Sequence, residues 1–166
     1  AKEKGAFPLY TEEYLEGKWI QRLDDDVLKL IKENGIRNSH LLSIAPTGTI
    51  SLCANNISSS IEPVFSTEYD RAINTVDGAI ITTVYDYGFK YLGVTNPKTT
   101  DQCTIDDHLN VLAIATEWSD SAVSKTINVG DHISFDEFKD IYIKAWKNGC
   151  KGVTTFRAAG KRYGIL

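Results

Sequence analysis

The pattern of apolar and polar positions is most regular in the last third of the chain. Residues 134–137 read Ser-Phe-Asp-Glu, a capping box that predicts the start of a helix, and Gly149 predicts its end. The flanking segments 121–129 and 151–156 are rich in β-branched residues and predict strands. A strand, a helix and a second strand in this order predict a parallel pair joined by a right-handed crossover. The sequence therefore predicts an α/β fold.

The rest of the chain shows shorter periodic segments separated by polar turns. Helices are predicted over residues 10–19 with Thr11 as N-cap, over residues 24–34 with Gly35 as the stop, and from Thr104 to about Trp118. An apolar run that ends at Pro46 predicts a strand over residues 40–45. Residues 50–54 fit a helix or an irregular coil, residues 79–89 fit a strand or a helix, and residues 93–102 fit a loop.

Four aromatic residues of the last third fall on predicted helices, most of them at helical spacing. They are Trp118, Phe138, Tyr142 and Trp146. Packing into a core explains this spacing without a cofactor, so we expect these side chains to be buried.

The turn that follows the predicted strand over residues 40–45 is rich in hydroxyl groups. It contains Thr47, Gly48, Thr49 and Ser51. Gly48 has no Cβ and allows a ligand to approach the backbone, while free N–H groups and threonine hydroxyls are suitable donors to an anion. These residues predict a phosphate-binding turn. The alternative is a polar turn that caps itself and binds no ligand.

Composition and charge narrow the function classes. The chain has 166 residues, of which 42% are hydrophobic and 24% charged, and it carries a net charge of −4. We expect one domain over residues 1–166, with enough apolar residues for a core. The acidic balance argues against binding to duplex nucleic acid, and no apolar run is long enough to predict a membrane span.

The cysteines and histidines show no metal-binding or disulfide pattern. They are Cys53, Cys103 and Cys150, and His40, His108 and His132. We expect each cysteine to be a reduced thiol, buried as a small apolar side chain, in a cytoplasmic protein. We expect each histidine to be structural or solvated, and no metal site.

Four separated blocks resemble the catalytic subunit of ribonucleotide reductases, above all the class II, adenosylcobalamin-dependent members. The blocks are EKGAFPLY (3–10), RNSHLLSIAPTGTISLCANNISSSIEPVFS (37–66), DHLNVLAIATEWSDSAVSKTINV (107–129) and FKDIYIKAWKNGCKGVTTFR (138–157). They occur in the family's order and cover nearly the whole chain. Only residues 86–102 are unremarkable.

The resemblance implies a fold, a chemistry and a binding loop. Family members form a ten-stranded α/β barrel, in which a thiyl radical on a finger loop abstracts hydrogen from the ribose of a ribonucleotide. Class II members generate the radical with adenosylcobalamin, and an external dithiol such as thioredoxin supplies the electrons. By resemblance, the residues that bind the substrate's phosphates are Pro46, Thr47, Gly48, Thr49 and Ile50.

Several family motifs do not occur in this sequence. The finger-loop pattern Asn-Pro-Cys-Gly-Glu and the C-terminal Cys-x-x-Cys are absent, and none of the three cysteines matches the radical cysteine, so no catalytic residue is assigned. We expect the C-terminal portion of the barrel, either as a separate polypeptide or as a piece of a longer chain, inactive alone and paired with a complementary N-terminal fragment. The alternative function is a catalytically inactive module that binds a nucleotide or complements a reductase.

Three charged residues outside the turn have two interpretations each. Glu62 lies either near the substrate ribose or, as we prefer, in a buried position that ties backbone N–H groups together. Lys125 contacts either a ligand or a carboxylate. Arg157 reaches either a phosphate or solvent.

Overall fold

The computed structural model describes residues 1–157, and within them the chain forms five α-helices and four β-strands. The helices are α1 (Asp25–Asn34), α2 (Gly48–Cys53), α3 (Tyr87–Leu92), α4 (Ile105–Glu117) and α5 (Phe135–Lys147). The strands are β1 (Glu68–Thr75), β2 (Gly78–Tyr85), β3 (Thr126–Val129) and β4 (Thr154–Arg157). The predicted single domain extends into positions 158–166, which lie outside the described residues.

The predicted strand–helix–strand unit is present as β3, α5 and β4. The two strands are parallel, with Thr126 opposite Thr154 and Val129 opposite Arg157. Helices α4 and α5 pack with β3 around an apolar core of Leu109, Ile127, Val129, Ile141 and Ala145. The α/β class is therefore confirmed. The described strands form two sheets of two strands each, and the ten-stranded barrel is not seen in them.

Two capping boxes fix the starts of the helices beside this core. The Ser134 hydroxyl accepts a hydrogen bond from the Glu137 N–H at 3.2 Å, and the Glu137 carboxylate accepts from the Ser134 N–H at 2.9 Å. Thr104 and Asp107 form the same reciprocal pair at the start of α4. Both predicted helix starts are confirmed, because a capping box depends on residues only three positions apart.

Strands β1 and β2 form an antiparallel hairpin that we call the exposed hairpin. Its register runs from Glu68 opposite Tyr85 to Thr75 opposite Gly78. Gly78 has φ +122°, a backbone conformation that side chains disfavour, and it completes the turn between the strands. Residues 79–89, which fit a strand or a helix from sequence, thus contribute mainly to a strand.

Two elements predicted from local patterns are shorter than expected. The predicted helix over residues 10–19 is a 3-10 helix of five residues, Glu12–Glu16, and the Thr11 side chain does not cap it. The predicted strand over residues 40–45 makes one parallel bridge, between Ile44 and Val123. Its earlier N–H groups are taken by the Asp120 carboxylate, which accepts from Leu41 at 2.6 Å and Leu42 at 2.7 Å. A side-chain acceptor thus replaces a strand partner there.

The remaining elements follow the predictions with shifted boundaries. Helix α1 begins after the Asp24 N-cap and ends at Gly35, as expected. Helix α2 begins at Gly48, two residues earlier than the sequence suggested. The predicted strand over residues 121–129 is regular only from Thr126. The predicted loop over residues 93–102 ends in a short 3-10 helix, Thr100–Gln102.

The expected burial of the aromatic residues is wrong, because three of the four are exposed and Phe138 is only partly buried. Trp146 is 74% exposed, and Trp118 and Tyr142 are also exposed. Tyr142 and Trp146 each follow a buried residue of α5, Ile141 or Ala145, so they lie on another side of the helix. Helix α5 packs on the core through Ile141 and Ala145, which leaves most of the Trp146 side chain uncovered among the described residues. The Tyr142 ring is also partly exposed, although its hydroxyl lies 2.9 Å from the Thr155 hydroxyl of β4.

The cysteines also differ from expectation. Cys53 is exposed, and Cys103 and Cys150 are only partly buried, while all three are free thiols. Cys53 is the last residue of the short helix α2, which lies at the surface.

Among residues 1–157, no helix has both the length and the apolar character needed to cross a bilayer. No cluster of three potential His, Cys, Asp or Glu metal ligands occurs in that same part of the chain.

We predict that Asp107 makes the stability of the fold sensitive to acid. Hydrogen bonds from Lys98 and from Thr104 lower the pKa of its carboxyl from 3.8 to about 2. The stabilisation is present above the unfolded-state pKa and is lost as the pH falls from about 4 towards 2. Urea unfolding from pH 5 to pH 2 should show a smaller pH dependence for Asp107→Asn than for the wild type. Asp140→Asn on α5 is the control, and an unchanged dependence in Asp107→Asn would contradict the assignment.

Candidate functional site

The candidate phosphate-binding turn, residues 46–50, follows a segment that runs parallel to residues 122–124, just before β3. The Ile44 N–H donates to the Ala122 carbonyl at 3.0 Å, and the Ser124 N–H donates to the Ile44 carbonyl at 2.8 Å. The turn therefore leaves from the carboxyl end of a parallel pairing. In open α/β structures, ligands bind at the carboxyl ends of parallel strands.

The backbone around this turn adopts conformations that are uncommon for residues with side chains. Thr47 has φ +49° and ψ +17°, the left-handed region that β-branched residues rarely enter. The other non-glycine residues with positive φ among the described residues are Asn55, Asn56 and Ser60. All four thus fall between positions 47 and 60. Such strained positions concentrate at functional sites, which makes this segment a candidate site.

The turn presents free hydrogen-bond donors at the surface. The N–H groups of Gly48, Thr49 and Ile50 make no hydrogen bond within the described residues, and Ile50 is 69% exposed. A Cβ added to Gly48 would meet no atom within 4 Å, so nothing in the protein blocks approach to this part of the backbone. The five residues predicted from the sequence, Pro46 to Ile50, are therefore open to a ligand.

A series of hydroxyl contacts ties the turn to the segment that follows α2. The Ser51 hydroxyl donates to the Gly48 carbonyl at 2.8 Å and lies 3.0 Å from the Ser59 hydroxyl. The Ser58 hydroxyl donates to the Glu62 carbonyl at 2.6 Å. These contacts connect the turn to Glu62, whose side chain reaches the β3 strand.

A buried ion pair anchors Glu62 to β3. The Lys125 ammonium donates to the Glu62 carboxylate, to the Thr126 carbonyl at 3.1 Å and to His108 Nδ1 at 3.0 Å. The other Glu62 oxygen accepts from the Thr126 N–H at 2.6 Å. The preferred interpretation of Glu62, a buried carboxylate that ties backbone N–H groups together, is confirmed in part: the carboxylate binds one backbone N–H, that of Thr126, and the side chain is 22% exposed. The alternative in which Lys125 contacts a carboxylate is confirmed as well.

His108 is the member of this cluster that sequence reasoning did not single out. It is 2% exposed, and burial lowers the pKa of its imidazole, with the Lys125 charge adding to the effect. The ammonium donates to Nδ1, so the neutral ring carries its proton on Nε2. Nε2 is buried without a hydrogen-bond partner among the described residues. A single histidine in a helix gave no signal that it would meet Lys125.

Arg157 and Cys150, two other residues considered in the sequence analysis, do not belong to the cluster around Lys125. Arg157 is exposed, and its guanidinium donates to the Asp131 carbonyl. Burial raises the pKa of the Cys150 thiol, which disfavours the reactive thiolate.

We predict that replacing Lys125 destabilises the chain strongly. Lys125→Met leaves the Glu62 carboxylate without its cation and His108 Nδ1 without its donor. Removing one member of a buried ion pair typically costs about 3 kcal/mol or more. Urea unfolding should show a loss of this size. Lys98→Met, which removes an exposed pair with Asp107, is the matched control and should cost much less, because solvent screens an exposed pair. Equal losses in the two variants would contradict the proposed anchoring role.

We also predict a stability change near neutral pH that depends on His108. The folded-state pKa lies below the ordinary value of 6.5, so the unfolded chain binds a proton that the folded chain does not. Stability is therefore highest above pH 6.5 and falls as the pH drops below it. His108→Gln should reduce the difference in unfolding free energy between pH 7.5 and pH 5.5. The exposed His132→Gln variant should retain it, and retention by His108→Gln would disprove the prediction.

Comparisons with known proteins agree along almost the whole chain. The family model described as the ribonucleotide reductase barrel domain matches residues 1–102 and 95–156. A vitamin B12-dependent ribonucleoside-diphosphate reductase of Mycobacterium tuberculosis is 28% identical over 192 residues, covering 100% of this chain and 25% of the relative. The protein of the same description from Thermoplasma acidophilum is 28% identical and covers 100% of this chain and 23% of the relative.

A third relative carries a related description. The ribonucleoside-diphosphate reductase subunit alpha of Mycoplasma pneumoniae is 31% identical over 128 residues, which are 74% of this chain and 17% of the relative. The chain thus spans about a quarter or less of the length of these curated relatives. Since one family model accounts for nearly all of the sequence, the chain belongs to the ribonucleotide reductase barrel-domain family.

Proposed function

We propose that this chain is part of the catalytic barrel of a ribonucleoside-diphosphate reductase and supplies the loop that binds the substrate's phosphates. The observation that carries the proposal is the row of unbonded N–H groups at Gly48, Thr49 and Ile50, in a member of this family. The N–H groups and threonine hydroxyls of the turn would bind the diphosphate of a ribonucleotide. Holding the diphosphate fixes the position of the ribose, on which the radical acts.

In this proposal the radical chemistry belongs to other parts of the reductase. The finger-loop pattern with its cysteine does not occur in the sequence, so another segment would supply the thiyl radical. The relatives are described as vitamin B12-dependent, and adenosylcobalamin would generate the radical in the complete enzyme. This chain's own contribution is to bind and orient the substrate.

Two cavities of the described residues are too small for adenosylcobalamin. One cavity, between the exposed hairpin and α2, measures about 570 Å³, and another, between α4 and α5, measures about 320 Å³. Cavities of this size accommodate drug-sized ligands, whereas a corrin with its nucleotide arm and adenosyl group is much larger. The cofactor site would therefore lie mainly in the rest of the reductase.

Exposed apolar side chains support pairing with the remainder of a barrel. Trp118, directly after α4, and Trp146 on α5 are exposed, and β4 pairs only with β3 among the described residues. A monomeric protein rarely leaves such rings and strand edges uncovered. We propose that a complementary reductase segment covers them. The free thiols fit a cytoplasmic protein, and an external dithiol such as thioredoxin would re-reduce the enzyme.

We predict that Thr49→Val weakens substrate use in a reconstituted barrel. The chain would be combined with a reductase fragment that carries the finger-loop cysteine, and adenosylcobalamin-dependent reduction of ribonucleoside diphosphates would be assayed. Removing one hydroxyl that donates to a charged phosphate typically costs about 1.5–3 kcal/mol. A tenfold or greater loss in kcat/KM, mainly through KM, is therefore expected.

The matched control is Thr82→Val, which removes an exposed hydroxyl from β2 of the hairpin. It should leave kcat/KM unchanged. If Thr49→Val behaved like the control, the turn would not be the phosphate site. If the two fragments associated and bound nucleotide but never produced deoxyribonucleotides, the alternative of an inactive binding module would replace the proposal.

A further inference from the structure

A second surface of the chain has the properties of a ligand site and does not include the turn at residues 46–50. It is the groove of about 570 Å³ between the exposed hairpin, the end of α2 and helix α3, hereafter the hairpin groove. Its volume falls within the range of small-molecule sites. The hydrogen bond from the Asn56 side chain to the Tyr85 carbonyl, at 3.0 Å, holds the hairpin against the end of α2 and defines one wall.

The charge of the hairpin groove is opposite to that of the chain as a whole. The chain carries a net charge of −4, yet the charged residues that line the groove are Arg71 and Lys90, with no acidic side chain among them. Neither cation forms an ion pair with a carboxylate within residues 1–157. Two unpaired cations in a concave surface attract an anion.

Aromatic rings surround one of these cations. The Lys90 ammonium lies 5.1 Å from the centre of the Tyr85 ring and 5.4 Å from that of the Tyr91 ring. Both rings line the groove. The cation–π contacts place the ammonium over both rings, so a planar base would pack on the parts of the rings that the ammonium leaves open. Asn55, which also lines the groove, provides an amide that can both donate and accept hydrogen bonds.

We propose that the hairpin groove binds a nucleoside phosphate, with Arg71 and Lys90 at the phosphates and the tyrosine rings beside the base. The site is separate from the substrate-phosphate loop, because its lining contains none of residues 46–50. The substrate-phosphate loop and the hairpin groove lie at opposite ends of α2, whose six residues span about 9 Å at 1.5 Å per residue. The loop forms the beginning of α2, and Leu52 near its end lines the groove.

The test is to titrate the 166-residue chain separately with ADP, pyrophosphate and adenosine and to measure the amide chemical shifts by NMR at each step. ADP should shift the resonances of the hairpin and α3 and should bind at least tenfold more tightly than pyrophosphate or adenosine. Arg71→Gln and Lys90→Gln should each weaken ADP binding at the groove about tenfold or more. Lys147→Gln, an exposed lysine on α5, is the matched control and should leave binding unchanged. Circular dichroism should show unchanged folding in all three variants.

The same titration in Thr49→Val separates this proposal from the proposed function. Shifts in the hairpin that persist when those of residues 46–50 disappear support two independent sites. Hairpin shifts without any shift at residues 46–50 in the wild type support the groove and count against the substrate loop. The groove proposal is overturned if Arg71→Gln and Lys90→Gln bind ADP as the wild type does, or if Thr49→Val abolishes the hairpin shifts. Pyrophosphate that binds as tightly as ADP overturns the nucleoside assignment.

Discussion

The candidate site depends on the buried ammonium group of Lys125. A charge removed from water is tolerated only when its hydrogen-bonding capacity is satisfied, and here all three N–H groups have acceptors: Glu62, His108 and the Thr126 carbonyl. These acceptors come from the irregular segment after α2, from α4 and from β3. One cation therefore fixes three parts of the chain relative to each other, and the hydroxyl contacts of Ser58 and Ser51 extend this fixation to the turn at residues 46–50.

Features that depend on neighbours in sequence could be predicted from the sequence. The starts of α4 and α5 are set by Thr104 with Asp107 and by Ser134 with Glu137, pairs three residues apart. The end of α1 at Gly35 follows from an equally local signal. The parallel pairing of β3 with β4 follows from the order of strand, helix and strand along the chain. The prediction that residues 46–50 bind phosphate rests on the composition of the turn together with the resemblance to a family.

Features that depend on distant partners could not be predicted in the same way. The segment before Pro46 lacks a regular strand because the Asp120 carboxylate accepts hydrogen bonds from two of its N–H groups. The residues near this segment do not indicate that Asp120 is the acceptor. The contact between His108 and Lys125 depends on how α4 packs against the chain, and the sequence around His108 does not indicate it. Trp146 was expected in a core because its spacing is helical, but spacing indicates a shared face and does not reveal what covers it.

The separation of the anchoring contacts along the chain has a consequence for the order of assembly. Glu62 contacts Lys125 and Thr126 across 63 and 64 positions, and Leu41 contacts Asp120 across 79. On the ribosome, the N-terminal segments emerge well before their anchors do. The turn at residues 46–50 therefore reaches its final shape only after β3 has been synthesised. Closing loops of this length is slow compared with forming the local unit of β3, α5 and β4, so the candidate ligand-binding surface would be among the last of the described parts to form.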